Sequence, residues 1–248
     1  MKKFLLSGLL IAASWTTASL HADNVALYLL GGLDGKMITN QDANNYFNLE
    51  GQQLGPMGIA SPVVHLGIQF ARWMALEASA DFGPVRNQDV TYQNGALGTT
   101  RRVTTKWALT TYSVTPGITW VGAGFVNMLG LRLGQANLAG HVDDNAYGST
   151  GSYDQEAQAY DAGLLFRSSQ IMLGHLSLGL EFGYDWTMFK DIKNKNGQGS
   201  YDPAHSPERN VSTFGHNGDQ TTLDFSGGHL AIVVGLWSAA PVSAEPQN

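Results

Sequence analysis

The chain has 248 residues and a formal net charge of −6, and charged residues make up only 14% of it. Globular domains usually carry a charged share of about 25%, so this low charge, together with 30 glycines, is typical of secreted or membrane-inserted β-rich proteins. The lack of cysteine excludes disulfides, thiol catalysis, Cys-based metal sites and N-terminal lipidation, and the acidic balance argues against nucleic-acid binding.

Residues 1–22 have the pattern of a secretory signal peptide. Two lysines precede an apolar run, Phe4–Ala13, and Leu20-His21-Ala22 gives a small-ended cleavage site. A transmembrane helix needs about 20 apolar residues, and this run is shorter. We therefore expect the mature chain to begin near Asp23 and to be exported.

Alternating apolar and polar residues predict eight strands along the rest of the chain. A period of two indicates a strand with one apolar and one polar face. The pattern is clearest from His175 to Trp186, where leucines and aromatics alternate with small or acidic residues, and weakest in the first strand. The predicted strands are Val25–Leu33, Val63–Phe70, Met74–Phe82, Thr111–Trp120, Leu129–Gly134, Tyr160–Arg167, His175–Trp186 and His229–Leu236.

The connections between these strands alternate in length. Three are short: Ala71–Trp73, Val121–Asn127 and Ser168–Gly174. Four are long and polar: Asp34–Met57, Gly83–Thr105, Gly140–Ala157 and Thr187–Thr221. Long loops at every other connection, with an even strand count, predict an all-β, transmembrane, up-and-down antiparallel barrel with short periplasmic turns and long extracellular loops. A soluble periplasmic β-sandwich is the alternative.

The chain resembles the small eight-stranded outer-membrane β-barrel superfamily, which includes the transmembrane domain of outer-membrane protein A and the opacity and adhesion barrels. The resemblance rests on this architecture and on strand phrases such as M-A-L-E-A-S-A-D-F at 74–82 and L-G-L-E-F-G-Y-D-W at 178–186. It implies a signal peptide at 1–22, a barrel at 23–237 and a periplasmic tail at 238–248. Such barrels usually end on an aromatic residue, whereas this chain continues past Trp237, which therefore fits an outward as well as an inward position.

In such a barrel the polar face of each strand points into the lumen. Buried charges must be paired, so we expect a salt-bridge network that plugs the barrel, with the excess acids hydrated, protonated or paired with loop residues such as Lys106 or Lys190. A gate or proton pathway is the functional alternative. The expected network comprises Glu77, Asp81, Arg132, Asp161, Arg167, Glu181 and Asp185, with His65 and His229.

Aromatic residues at the ends of the apolar faces predict two interfacial girdles. They are Phe70, Trp73, Phe82, Tyr112, Trp120, Tyr160, Phe166, Tyr184, Trp186 and Trp237. Basic residues near the outer rim are candidates for contacts with lipopolysaccharide phosphates through charge-assisted hydrogen bonds. These are Arg101, Arg102, Lys106, Lys190, Lys193 and Lys195.

Enzyme motifs are poorly matched, and we expect no catalytic site, metal or cofactor. His175-Leu176-Ser177 has the His-x-Ser spacing of lipid A deacylases, but it lies at a periplasmic turn, whereas lipid A is in the outer leaflet. Lysines occupy ligand positions in the calcium-loop-like segment 191–197. A lipid A palmitoyltransferase or an aspartyl-type surface protease would use outer residues that match by type alone: His141, Asp143, Asp144, Ser149, His216 and Asp219.

The sequence therefore predicts a non-enzymatic protein of the bacterial outer membrane, acting in envelope integrity or through its outer loops in adhesion or ligand binding. Its expected partners are outer-membrane lipid and lipopolysaccharide, host or surface ligands, and the barrel-assembly machinery during insertion. A narrow, porin-like pore for small solutes and a lipid A-modifying enzyme are the alternatives.

Overall fold

A computed structural model describes residues 25–38, 57–70, 73–84, 88–94, 99–122, 124–146, 149–190, 193–194 and 223–238. The expected signal peptide at 1–22 and the tail from 239 onward lie outside these residues. Within the described part, no helix is long and apolar enough to cross a membrane.

Eleven strands form within the described residues, and eight of them close into an antiparallel barrel in the order β1-β2-β3-β5-β6-β7-β8-β11 and back to β1. The chain therefore has the predicted eight-stranded, up-and-down architecture. The strands are β1 Val25–Ile38, β2 Met57–Phe70, β3 Met74–Pro84, β4 Gln88–Asn94, β5 Thr99–Gly122, β6 Phe125–Ala146, β7 Ser149–Met172, β8 Leu176–Phe189, β9 Lys193–Asn194, β10 Leu223–Asp224 and β11 Gly227–Trp237.

The barrel closes between β1 and β11, which pair from Tyr28 opposite Trp237 to Ile38 opposite Gly227. Closure leaves no unpaired strand edge facing lipid, where unsatisfied backbone groups would be costly. At the end of the barrel where β1 begins, three residues separate β2 from β3, two separate β5 from β6 and three separate β7 from β8. Gly124 and Gly174 supply positive φ angles of 80° and 77° in two of these turns, a conformation that glycine adopts without strain. Short turns mark this end as periplasmic.

The central strands extend well past the membrane. β5 and β7 have 24 residues each and β6 has 22, whereas about 10 residues suffice to cross a bilayer. The segments expected to be loops, Gly83–Thr105 and Gly140–Ala157, are therefore largely strand. β4 pairs with β5 and β9 pairs with β7. We call this outer sheet the projection; it comprises β4, residues 99–106 of β5, 140–146 of β6, 149–156 of β7, and β9.

Around the middle of the barrel wall, the outward positions carry an exposed belt of large apolar side chains. A soluble protein would bury them, so the exposed belt identifies lipid as the solvent around the barrel and excludes the β-sandwich alternative. The belt includes Leu27, Leu29, Leu33, Leu66, Leu76, Val114, Ile118, Leu129, Leu131, Leu133, Leu164, Leu178, Leu180, Leu230, Ile232, Val234 and Leu236.

One predicted girdle residue is misplaced. Trp237 points into the barrel, is only 7% exposed and stacks on Tyr28 with ring centroids 4.6 Å apart. The alternation of β11 explains this, because Leu236 and Val234 occupy the outward positions and Trp237 has the opposite parity. The other nine predicted girdle residues have the outward parity of their strands or lie at a turn.

Candidate functional sites

The interior of the barrel consists of a charged layer between two apolar clusters. The lower cluster, toward the periplasm, comprises Ala26, Tyr28, Leu30, Val63, Val126, Ala231, Val233 and Trp237. The upper cluster, toward the outside, comprises Ile38, Ile59, Trp107, Leu109, Ala136, Leu138, Val142, Ala157, Ala159, Phe189, Leu223 and Phe225.

Arg132 organises the outer half of the charged layer. Its side chain is 1% exposed, and its guanidinium nitrogens lie 3.2 Å from Asp185, 3.5 Å from Glu181 and 3.7 Å from Asp81. Lys36 adds a second cation 3.3 Å from Asp185. A planar guanidinium serves several carboxylates at once, which makes Arg suited to this position.

Arg167 organises the inner half. Its guanidinium donates a hydrogen bond to the Glu77 carboxylate and lies 3.5 Å from the Glu181 carboxylate. Glu77 also accepts a hydrogen bond from the Tyr28 hydroxyl at 3.0 Å and contacts His65 Nδ1 at 2.8 Å. The Glu77 carboxylate therefore has three polar partners from three other strands, which ties the barrel wall together across its lumen.

The remaining predicted lumen residues lie around these two centres. His229 Nδ1 is 3.4 Å from Asp34, and Asp161 accepts a hydrogen bond from the Thr187 hydroxyl. The structure thus brings all seven acids and arginines of the expected network into one interior layer, where each side chain is buried or nearly so.

The sequence pattern does not identify Asp34 and Lys36 as lumen residues, because both fall in the predicted loop Asp34–Met57. Both are buried in the lumen because β1 continues to Ile38. They have the same strand parity as Tyr28 and Leu30, which point inward. Extending this alternation along β1 would have predicted that Asp34 and Lys36 face the lumen. Lys36, rather than Lys106 or Lys190, supplies an additional cation to the network. The layer then holds six carboxylates, three Lys or Arg cations and two histidines: Asp34, Glu77, Asp81, Asp161, Glu181 and Asp185, with Lys36, Arg132, Arg167, His65 and His229.

A small cavity lies within the charged layer. It has a volume of about 10 Å³ and is lined by Asp34, Lys36, Asp81 and Asp185. This volume corresponds to roughly one water molecule. The interior of an eight-stranded barrel is in general just wide enough for its own side chains.

The charged side chains that the structure describes in the projection lie on its outer face. Arg102 on β5 makes a bidentate pair with Asp89 on β4, with Nε 2.9 Å and 3.1 Å from the two carboxylate oxygens. Hydrogen bonds from Arg102 lower the pKa of the Asp89 carboxyl. Lys106 and Lys190 are exposed. Arg101 and Lys193 lie in β5 and β9 with side chains beyond the described part, and Lys195 lies outside it.

A second polar cluster lies on the outer face of the β6–β7 hairpin. His141 Nδ1 is 2.7 Å from Asp154 Oδ1, and His141 Nε2 is 3.1 Å from Ser152 Oγ and 3.2 Å from Asp143 Oδ1. The hydrogen bond to Asp154 and the nearby carboxylates raise the pKa of His141. We call these four residues the hairpin cluster.

The sequence grouped His141 with Asp143, Asp144 and Ser149 by type. The structure keeps Asp143 but brings Ser152 and Asp154 to the imidazole, because β6 and β7 pair antiparallel as far as Ala146 opposite Ser149. That register places Asp154 opposite His141 and Ser152 opposite Asp143. Strand parity alone could not give it.

The other enzyme motif has a structural role. His175 Nδ1 lies 3.0 Å from the backbone carbonyl oxygen of Trp237, and Ser177 is buried in the barrel. Within the described residues, no group of three or more His, Asp or Glu side chains is arranged to hold a metal ion.

No family model and no curated protein matches this chain. Among solved structures, the outer membrane protein OprG from Pseudomonas aeruginosa matches with a TM-score of 0.51 and 13% identity, over 88% of this chain and 97% of that one. Neisserial surface protein A matches with a TM-score of 0.40 and 11% identity, over 86% and 99%. The attachment invasion locus protein Ail of Yersinia pestis matches with a TM-score of 0.36 and 10% identity, over 86% and 98%.

At these identities the likeness concerns the fold, and the OprG match agrees with the strand count and closure described above. The lipid-facing belt indicates that the protein lies in a membrane, because a barrel with apolar side chains outside and charges inside is stable only there. The chain is an eight-stranded transmembrane β-barrel of the bacterial outer-membrane type.

Proposed function

We propose that this protein is a non-conducting outer-membrane barrel that supports the envelope and presents its projection as an extracellular surface for adhesion or ligand binding. The observation that carries the proposal is the position of the charged layer between two apolar clusters, the lower and the upper. A lumen closed in this way leaves the outer surface as the part of the molecule that meets other molecules.

The lower cluster closes the lumen through Tyr28 and Trp237, whose rings stack across the β1–β11 seam. At the other end, Phe225 packs against Phe189 at 5.3 Å and against Trp107 at 5.6 Å. An ion that crossed these clusters would lose its hydration without gaining polar ligands, which is strongly unfavourable. Between them, the ion pairs of the charged layer fill the space a solute would need.

The projection suits a binding role because its outer face is polar and rigidly built. Regular strand pairing joins β5 to β6 as far as Arg101 opposite Ala146, and β6 to β7 as far as Ala146 opposite Ser149. Arg102, Lys106 and Lys190 are exposed on the side of the barrel away from the short turns. We include contacts between these cations and outer-leaflet phosphates in the proposal, as charge-assisted hydrogen bonds.

Planar-bilayer conductance of the refolded mature protein tests the sealed lumen. Folding is first checked by the shift in gel mobility on heating. We expect folded protein to give no unitary steps, while a wide-bore porin inserted into the same bilayers conducts. Reproducible steps from the folded protein would overturn the sealed lumen and favour the narrow-pore alternative.

Mass spectrometry of lipid A, with and without the gene, tests the lipid-modifying alternative. We expect identical lipid A acylation, because the hairpin cluster lies on the projection, above the exposed apolar belt, and His175 and Ser177 are at the periplasmic end. A change in acyl number that follows the gene would make the protein a lipid A-modifying enzyme.

A further inference from the structure

The hairpin cluster has the connectivity of a nucleophilic catalytic triad. In such a triad a serine hydroxyl bonds to one imidazole nitrogen, and a carboxylate holds the other nitrogen and fixes the tautomer. Here Ser152 Oγ is 3.1 Å from His141 Nε2, and Asp154 Oδ1 is 2.7 Å from His141 Nδ1. We propose that Ser152, His141 and Asp154 form a hydrolytic site for small carboxylic esters outside the membrane.

The register of the hairpin supports this assignment. His141 and Asp154 are directly opposite each other on β6 and β7, and Asp143 and Ser152 form the next outward pair. Directly opposed residues share one face of the sheet. The side chains of His141, Asp143 and Asp154 are each 41–43% exposed, and Ser152 is exposed, so an ester in the medium can approach the hydroxyl.

The position of the site determines the substrate class. Tyr112, Gln135 and Tyr160 are aligned across β5, β6 and β7 and mark the outer girdle. His141 is six residues beyond Gln135, which is about 20 Å along the strand and about 15 Å above the girdle at a tilt of about 40°. The ester bonds of lipid acyl chains lie near the girdle and are therefore out of reach of this site. The esters that can reach it carry short acyl groups, such as those on surface sugars.

The chemical step uses groups that are present. The Ser152 hydroxyl attacks the ester carbonyl carbon and passes its proton to His141 Nε2, while Asp154 stabilises the imidazolium. Collapse of the tetrahedral adduct breaks the ester C–O bond, and the leaving alcohol takes the proton from Nε2. Water then attacks the acyl-serine with His141 again as base, which releases the acid and restores Ser152. Lys106, directly opposite His141 on β5 and exposed, is the cation nearest in register to the developing oxyanion.

Asp143 tunes the base. Its Oδ1 lies 3.2 Å from Nε2 and competes with Ser152 whenever the imidazole is protonated. The titratable and charged side chains described around His141 on this face are Asp143 on its own strand, Asp154 and Glu156 on β7, and Lys106 on β5, with the Ser152 hydroxyl beside them. Because the carboxylates raise the pKa of His141, the serine is activated only as pH rises above that pKa and frees Nε2 to accept a proton.

A fluorophosphonate probe, which reacts covalently with activated serines, tests the proposal on refolded mature protein. We expect labelling at Ser152, identified by peptide mass spectrometry, and loss of it in Ser152→Ala. His141→Asn and Asp154→Asn should each slow labelling by about 100-fold or more. Ser168→Ala, at an outward position near the periplasmic end of β7, is the matched control and should label like the wild type.

The pH profile separates this site from a structural cluster of charges. Labelling should increase with pH, and Asp143→Asn should shift the profile toward lower pH, because removing one carboxylate lowers the pKa of His141. Variants are compared only after their heat-dependent gel shift shows a folded barrel. A folded wild type that does not label between pH 7 and 9, labelling of His141→Asn at the wild-type rate, or an unshifted profile in Asp143→Asn would each overturn the proposal. The sealed lumen is tested separately by conductance.

Discussion

The barrel wall and the projection are built from the same strands but follow opposite facing rules. On the outward face of β6, Leu129, Leu131 and Leu133 contact lipid, whereas His141 and Asp143, further along the same face, are charged or polar. Inward residues change in the opposite direction, from Arg132 in the charged layer to Val142 in the upper cluster. The strand is continuous across this change, so the surrounding solvent rather than the backbone determines which residues each face carries.

The largest expected effect comes from breaking the charged layer. Arg132→Leu should lower the free energy of unfolding in bilayers by about 3–5 kcal/mol, because it leaves Asp81, Glu181 and Asp185 without their shared cation. Lys106→Leu, an exposed cation on the projection, is the control and should change stability far less. Equal losses in denaturant titrations of the two variants would contradict the contrast between the two regions.

A charge placed on the outward face should distinguish lipid from water directly. Leu131→Arg in the belt should cost about 2–4 kcal/mol, since the cation would lie near the bilayer midplane. Ala139→Arg, eight residues further along the same face, should cost close to nothing because it is exposed near the start of the projection. Urea unfolding in lipid vesicles measures both. A large penalty at Ala139 would place the membrane boundary higher than the structure indicates.

The basic outer residues should matter only where their partner is present. Neutralising Arg101, Arg102, Lys106, Lys190, Lys193 and Lys195 together should destabilise the barrel in bilayers containing lipopolysaccharide, by about 1–3 kcal/mol in total. In plain detergent the variant should melt like the wild type. A similar loss in both media would show that these cations act within the protein and not on lipid phosphates.

The smallest effect concerns the exposed pair at the edge of the projection. Arg102→Gln should raise the pKa of Asp89 toward its ordinary value, because the hydrogen bonds from the guanidinium now hold it low. Since the folded-state pKa of Asp89 is lowered, the pair favours folding above the ordinary carboxyl pKa and loses this contribution as pH falls through the lowered value. The pair is solvated, so stability should hardly change. Carboxyl NMR titration would detect the shift, and an unchanged pKa would show that the pair is not formed in solution.

Strand parity is the part of this structure that sequence reveals best. Once the leucines are assigned to lipid, a period of two places Glu77, Arg132 and Glu181 on the opposite face. Strand parity no longer predicts which face a residue occupies once the alternating apolar pattern is interrupted. In β1 the Gly31-Gly32 pair interrupts the pattern, and the charged residues Asp34 and Lys36 that follow were assigned to a loop although they are lumen-facing.

The projection was missed for a related physical reason. Above the membrane the outward faces of β5, β6 and β7 carry polar residues, and their inward faces mix apolar residues such as Val142 with polar ones such as Thr105 and Gln155. The regular apolar alternation that indicates a strand is therefore lost while the strand continues. The hairpin cluster adds a second difficulty, because the meeting of Ser152, Asp154 and His141 depends on the register between β6 and β7 and not on spacing along one strand.

The seam between the first and last strands is secured just beyond the end of β11. Ser238 donates its backbone N–H to the Leu27 carbonyl at 2.8 Å and accepts the Leu27 N–H on its hydroxyl at 2.9 Å. The Trp237 N–H also bonds to the His175 carbonyl at 2.8 Å. A pulling force applied to the chain after Ser238 must therefore break these three hydrogen bonds before it can separate β11 from β1 and β8. A domain fused at that point should be held at the periplasmic rim without destabilising the barrel.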